Sequence, residues 1–559
     1  MRPVRALLAV ALLLPAVLAL FQVDWFESHE GASYPARVVE VTRCWQGGMW
    51  SARWFPDLAG GRGYPFLSFY APLLFWAAGA FHAAGLSVAL ALKLVVILGT
   101  ALGAAGAYRL ARQATGREGA AATALLWTYA PYRLRDLWTR GDLAELLALA
   151  FLPWALAATI DVVRRPEPRA TVRAAFFGAA AVISHNVAGM HTGVAMALAA
   201  ACALAATGAE AGGAEGAKAE AGRARRAGAT VAAGGLALAL SAFFWVPALA
   251  ERKWVHLDRL RSGFFVVEDH FVPLRTLFGV VRPARAFVPR QAEAMTFELG
   301  VAVFLAILGL FAFRDRKARA HVALGLALLV GGAVLATRLA APVYRWIPFL
   351  AYGGLPWRTL GPASLGAALL AGLGIGSLVG ARGGPFRATA LALVAAASIG
   401  TVMDLLHPLQ EIRLSPPILD PAAYRAADFT ASVANEYVPV WSQAREEIPF
   451  REGLAAAGPA TIRNVRRGVA RWSFDVEAPQ DVDLVFQDFF YPGWTVSVDG
   501  RRIDAFPRPG SGYLQIRLGA GRGHVEAALR PSPTRRLAGF ASFTALLACT
   551  GLTLRRRST

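Results

Sequence analysis

The sequence predicts a polytopic α-helical membrane protein, with about twelve spans and a C-terminal extracytoplasmic β-sandwich-like domain. Three observations lead there. Apolar runs of about 20 residues, enough to cross about 30 Å of hydrocarbon, recur along the chain. Arg and Lys gather in the short connections between those runs, as the positive-inside rule requires. From about residue 460 to 531 the pattern changes to short alternating segments separated by turn residues, the signature of strands.

Composition supports this reading and excludes others. The chain has 559 residues, 56% hydrophobic and 17% charged, whereas soluble chains carry roughly 25% charged residues. The net charge of +20 would suggest nucleic acid in a soluble protein. Here the basic residues lie in short loops between apolar runs, so no nucleic-acid partner is expected. Cys44, Cys202 and Cys549 are far apart and imply neither a disulfide framework nor a thiolate metal site. The opening MRPVRALLAVALLLPAVLAL places Arg2 and Arg5 before an apolar core, as a signal peptide does. No small-x-small cleavage site follows, so it reads as an uncleaved first span.

The expected spans are 6–22, 88–107, 119–131, 143–162, 172–187, 189–207, 228–248, 297–313, 320–337, 360–380, 386–406 and 536–554, with both termini in the cytoplasm. Residues 66–86 are apolar enough to span, but parity argues against it. If they do not cross, the connections 109–117, 164–173, 218–226, 314–319 and 382–387 and the tail 555–557 all lie on the side of the positive N-terminus. This stretch is therefore expected at the outer interface or re-entering, where Phe69, Tyr70 and Trp76 suit it. The outer segments are then 23–87, 132–142, 249–296, 338–359 and 407–535. The inner loops carry only basic residues, small residues and Pro, and 208–226 is low-complexity and expected to be flexible. Chemistry is expected outside, on the extracytoplasmic face of the plasma membrane. No phosphate-cradling glycine loop of the Walker type occurs.

Three units follow: a membrane module 1–406 with its long first outer loop 23–87, an outer domain 407–535 that is β-rich from about 460, and 536–559 as last span and basic tail. About seven strands are expected, with Asp499-Gly500 as a two-residue hairpin turn. Residues 408–459 are Pro-rich and irregular. The sandwich serves either as a packing module or as a carbohydrate surface using Trp472, Tyr491 or Trp494; aromatics in a sandwich are more often core.

The polar residues worth attention cluster in the outer segments. Asp24, Glu27, His29 and Glu30 follow the first span, and a carboxylate there either takes a proton from a hydroxyl or is a solvated interfacial charge. Tyr64 and Tyr70 each precede Pro or Ala-Pro in turn and helix-start signals. Arg133, Arg135, Asp136, Arg140, Asp142 and Glu145 are dense for a membrane-flanking stretch. Asp142 and Glu145, three apart, share a helix face. The arginines either hold a lipid phosphate or pair with the acids to fix the helix end. His185 lies at the outer end of a span; its spacing of six from His191 does not align on one helix face, so no zinc pair is implied. The run 268–270 with Arg259 and Arg261 faces either a cavity or solvent. Trp357 and Arg358 sit at the mouth of a span, where a lone Arg needs a lipid phosphate or a protein carboxylate.

Taken together, His29-Glu30, Arg37, RWFPDLAGGRGYPFLSFYAPL, PYRLRDLWTRGDLAE, SHN, LPWR and NEYVP (435–439) resemble the bacterial membrane family labelled "6-pyruvoyl-tetrahydropterin synthase-related". The tail FFYPGWTVSVDGRRI…HVEAALRPS is similar to the C-terminal part of YfhO-like membrane proteins. Both resemble the GT-C glycosyltransferase superfamily. The label's soluble enzyme binds zinc through three histidines in a compact α/β fold, which this chain does not match. The resemblance implies a helical bundle with a long first outer loop, a polyprenyl-phosphate-sugar donor in contact with membrane lipids, and inverting transfer. It implies Glu30 as the base, in a place where Asp is more usual, with Asp24 as alternative. It also implies a second acidic motif at Asp136 or Asp142, and donor binding by Arg140 and Arg358, with His29, Arg37, Tyr64, Tyr70, Arg133, His185 and Trp357 counted among the donor-binding side chains. No metal ligand set is assigned, and a divalent cation is neither required nor excluded. The rival functions are a transporter or flippase of lipid-linked glycans, which would need charged or broken helices at mid-membrane, and a non-catalytic scaffold. Lys93 is the clearest charge inside a span.

Overall fold

The computed structural model describes residues 2–210, 216–279, 281, 295–347, 350, 353–380, 382, 384–408, 410–414, 419–430, 432, 434–444, 446 and 448–554. The main helices are α1 (Arg2–Leu13), α2 (Ser33–Gln46), α3 (Leu73–Ala83), α4 (Val88–Ala111), α5 (Arg117–Thr128), α6 (Leu143–Arg164), α7 (Pro168–Ser184), α8 (Asn186–Glu210), α9 (Gly216–Glu251), α10 (Arg319–Ala336), α11 (Leu360–Val379), α12 (Gly384–Gly400) and α13 (Pro533–Leu554).

Among the described residues, seven helices are long and apolar enough to cross a membrane, in the regions of α4, α6, α8, α9, α10, α11 and α13. The five remaining expected spans are shorter or interrupted. α1 gives way to a 3-10 turn at Leu14–Ala16, where Pro15 lacks an N–H and crowds the preceding turn. α5 has 12 residues, α7 and α12 have 17 each, and 301–312 is split by a 3-10 turn at Ala306–Leu308. α3 has 11 residues and rises about 16 Å, half the hydrocarbon thickness. Residues 211–215 of the low-complexity stretch, and the tail 555–557, lie outside the described residues. From Gly216 onward that stretch is helical, contrary to the expectation of a flexible loop. Its Ala, Lys, Glu and Arg residues are strong helix formers, which offsets its glycines.

At the centre, α11 is buried along almost its whole length. Gly372 lets it close on α5, because a Cβ there would meet Thr123 Oγ1 at 1.9 Å. Small residues at such a crossing replace the hydrophobic drive that lipid removes.

The outer β region contains nine strands: β3 (Leu454–Ala456), β4 (Thr461–Gly468), β5 (Arg471–Ala478), β6 (Val482–Phe489), β7 (Trp494–Val498), β8 (Arg501–Ile503), β9 (Ala505–Pro507), β10 (Tyr513–Leu518) and β11 (Gly521–Leu529). They form two antiparallel sheets, ordered β3-β6-β10-β9 and β4-β5-β11-β7-β8. Asp499 and Gly500 both take positive φ between β7 and β8, paired Val498 to Arg501, as a two-residue hairpin requires. The surplus over seven strands comes from three-residue pieces such as β3 and β9, too short to show alternation. β5 alternates strictly, with Trp472, Phe474, Val476 and Ala478 inward. Trp472 and Tyr491 are 2% exposed and Trp494 7%, so these aromatics are core and offer no sugar platform.

The sandwich is fastened to the bundle. Buried Glu251 at the end of α9 accepts from Arg535 Nε at 3.0 Å, Ser532 Oγ at 2.8 Å and Tyr491 OH at 3.3 Å. Arg53 of the first outer loop donates to Leu529 O at 2.8 Å. Farther back, β1 (Trp25–Glu27) pairs antiparallel with β2 (Gln410–Ile412).

Candidate functional site

The chain between α5 and α6 is apolar only in part, and it is wholly buried. Pro131 starts a short helix to Arg135, a π turn covers Asp136–Arg140, and Gly141 reverses the chain with φ 66°. A Cβ at Gly141 would lie 2.0 Å from Ser28 Oγ, so this glycine is required both by its backbone angle and by the close approach of the first outer loop. Asp142 then caps α6, its Oδ1 accepting from Glu145 N at 3.0 Å, as capping residues do. The acidic spacing is thus the start signal of a helix as well as a pair of carboxylates on one face.

The first outer loop is stitched onto this turn by its backbone. His29 N donates to Thr139 O at 3.1 Å and Glu30 N to Arg140 O at 2.9 Å. Glu30 is thereby set 3.5 Å from Arg37 on α2. The Arg37 guanidinium lies within 6 Å of the ring centres of Tyr34, Phe66, Tyr70 and Phe75, a cation held by ring faces.

Beneath them, Arg140 holds three acids. It bonds Asp136, reaches Asp142 Oδ2 at 3.0 Å and Glu145 Oε2 at 2.9 Å, and stacks over Trp357. Arg358 approaches Asp142 at 3.6 Å and Glu145 at 3.5 Å. His185 Nδ1 accepts from Ala188 N at 3.1 Å, and its Nε2 stands between Arg358 Nη1 at 3.0 Å and Asp142 Oδ2 at 3.4 Å. The hydroxyls of Tyr34 and Tyr70 approach Asp142 Oδ1 at 3.2 and 3.4 Å, and Tyr132 donates to Glu145.

The electrostatics divide the acids. Burial, and then Asp142, push the Glu30 carboxyl above its ordinary value against the pull of Arg37, Arg140 and Arg358. Burial and Glu145 likewise raise Asp136, with Arg140 opposing. Burial raises Asp142 as well, but His185, Arg140 and Arg358 outweigh it and hold this carboxyl well below its ordinary value. Burial and then Arg140 bring the His29 imidazole down to about 4.

Of the residues singled out in sequence, Glu30, Arg37, Tyr70, Asp136, Arg140, Asp142, His185, Trp357 and Arg358 come together, with His29 beside them. Asp24 does not join them: its Oδ2 accepts from Leu414 N at 2.8 Å and its N–H reaches Glu411 at 3.2 Å, which ties β1 to β2. Arg133 turns back on α5, bonding Trp127 O at 3.3 Å and stacking on its ring. Tyr64 bonds Ser432 and takes Tyr437 N–H at 3.3 Å, so it seats the 435–439 segment. Lys93 caps Val23 O at 2.6 Å at the start of the outer loop. Glu268 and Asp269 are exposed. Sequence reading passed over Tyr34 and Tyr132, which touch the acids; nothing in their spacing separates them from other buried tyrosines.

Ligand atoms of Asp142, Glu145 and His185 all lie within 4.8 Å of one another, close enough for a divalent cation. The oxygens concerned already face two guanidiniums, which a cation would have to displace. The donor set fits a guanidinium-held carboxylate pair and not a metal centre.

No curated protein matches the chain in sequence. Solved structures similar to it include the arabinofuranosyltransferase AftD from Mycobacteria, at 19% identity and TM-score 0.44 over 74% of this chain and 28% of that one. The oligosaccharyltransferase AglB from Archaeoglobus fulgidus, in complex with an inhibitory peptide and a dolichol-phosphate, is similar at 13% identity and TM-score 0.43 over 79% of this chain and 61% of that one. ArnT from Cupriavidus metallidurans, bound to undecaprenyl phosphate, is similar at 13% and TM-score 0.39 over 75% and 77%. The chain spans less than two thirds of the first two. Residues 67–405 match the membrane proteins described by a 6-pyruvoyl-tetrahydropterin synthase related domain, and, with more than half of its length matched, the chain belongs to that family.

Proposed function

We propose that this protein is a GT-C-type glycosyltransferase that moves a sugar from a polyprenyl-phosphate carrier to a hydroxyl on the extracytoplasmic side of the plasma membrane, with inversion. The observation that carries the reading is Glu30: an 18% exposed carboxylate with a raised pKa, backbone-locked to a turn that presents arginines. A raised carboxyl is a stronger base near neutral pH. Glu30 takes the acceptor hydroxyl's proton as its oxygen attacks the anomeric carbon, and the bond from that carbon to the phosphate oxygen breaks. The departing lipid phosphate keeps the electron pair and needs cationic partners. Arg358, 13% exposed, meets it; Arg140, committed to three acids, holds Arg358's carboxylate partners in place. Residues 1–406 act as the catalytic module, 407–535 as its outer cover, and α13 as anchor.

The test is transfer by the purified chain in lipid, offered radiolabelled polyprenyl-phosphate sugars, beside Glu30→Gln and Asp24→Asn. Loss in Glu30→Gln alone, with folding retained, is the expected result. Transfer unchanged in Glu30→Gln removes the assigned base. The dense pairing of Arg140 favours a second reading, a non-catalytic scaffold, for which no donor would give transfer.

A further inference from the structure

A cleft of about 630 Å³ opens between α2, the short helix Pro421–Ala426 and β4. It is separate from the Glu30–Arg140 constellation but shares α2 with it. Tyr34 and Arg37 in the first turns of that helix face Asp142 and Glu30. Arg43, six residues beyond Arg37, lies about 9 Å farther along the axis and lines the cleft together with Arg425 and Arg467.

Arg43 Nε meets Asp57 Oδ2 at 2.8 Å and Arg425 holds the other Asp57 oxygen. Arg467 lies 3.6 Å from Asp488. Among the described residues, these three guanidiniums share those two carboxylates. Glu40, on the same helix as Arg43, is fully buried and takes Asp57 N–H at 3.1 Å; burial, and then Asp57, push its carboxyl above its ordinary value. The Nη groups of Arg43 have no partner among the described residues, and its side chain is 42% exposed. Arg467 is fixed in place by Gln487 and Gly61 O and stacks on Trp472. Forked guanidinium donors held by the fold therefore face an open cleft. Guanidinium forks at several angles suit the oxygens of a phosphate group. The volume lies in the small-molecule range of about 300–1,000 Å³, far larger than a bare phosphate needs.

We propose that this cleft is a second, anion-binding site, taking the phosphate group of a phosphorylated saccharide or of a lipid headgroup through Arg43, Arg425 and Arg467. The site is independent of the transfer reading, and its test measures binding and not turnover.

The full chain is placed in phosphatidylcholine nanodiscs and titrated at matched ionic strength with inorganic phosphate, glucose 6-phosphate and glucose, following the thermal unfolding midpoint. A parallel arm replaces part of the lipid with phosphatidylglycerol. A saturable upward shift with the phosphates and not with glucose, weakened at least tenfold in apparent affinity by Arg43→Gln, supports the site and a soluble source. A shift in the phosphatidylglycerol arm alone, with the same dependence on Arg43, supports the site and a headgroup source. In Arg43→Gln, Asp57 keeps Arg425, so the fold is retained; Arg467→Gln is the second variant. No saturable response in either arm, or one that both variants leave unchanged, overturns the proposal.

Discussion

Two regions of this molecule use the same residue types to opposite effect. On the sandwich, Arg522 pairs with Glu477 at 2.7 Å while 80% exposed, and Arg517 faces Asp483 at 3.8 Å while 71% exposed. At the loop junction, Arg140 is 5% exposed and Asp142 and Glu145 are at most 1% exposed. Water screens the first pairs, so each is worth little. At the junction desolvation makes each charge costly alone, and only the set is stable. The teaching is that charge density in sequence says little until burial is known: the junction is a single unit, while the sandwich pairs are independent.

That contrast can be broken or sharpened by substitution. Arg140→Ala leaves three buried acids with too few partners and should cost about 3–5 kcal/mol, read as a large drop in thermal midpoint or loss of folded protein on size exclusion. Glu30→Gln should cut transfer at least 100-fold, about 2.7 kcal/mol in barrier, with the midpoint retained; single-turnover transfer measures it. Gly141→Ala drives a Cβ into Ser28 and should cost about 1–3 kcal/mol, measured by thermal unfolding, with transfer falling as Glu30 is displaced. The rate–pH profile is a finer probe. Glu30 acts deprotonated, and its pKa is raised, so the rate should fall as pH drops through a value above the ordinary carboxylate pKa of about 4.3. Arg37→Gln removes a cation that lowers that pKa and should move the acid limb to higher pH; a limb that stays put would detach Glu30 from the rate. Arg522→Ala, the smallest effect, should leave midpoint and transfer unchanged; a measurable loss would contradict the independence of the sandwich pairs.

Much of this was legible in the sequence where one physical signal dominates. Long apolar runs became the long helices, Asp499-Gly500 the hairpin, and strict alternation in RWSFDVEA the buried face of β5. The density of Arg and acid at 133–145 marked the junction. What stayed hidden depends on contacts across distance. Asp24 and Glu30 look alike six residues apart, yet one ties strands and the other faces Arg37, because only the fold puts Leu414 beside one and the turn after α5 beside the other. The shorter helices have apolar compositions like the long ones, so composition alone does not give their length; the first ends where Pro15 enters a 3-10 turn. Trp472, read in sequence as core more readily than as a sugar platform, is fixed as core by its indole N–H bonded to buried Asp488.

The β1–β2 pair also bears on biosynthesis. Asp24 closes onto Leu414 across 390 positions of chain. At a ribosomal pace of about 5–20 residues per second, the first outer loop waits roughly 20–80 s for that partner. During this interval the ladder groups of β1 are unpaired, whereas Glu30, three residues on, has Arg140 available far sooner, and a nascent chain halted before residue 410 should expose β1 to protease.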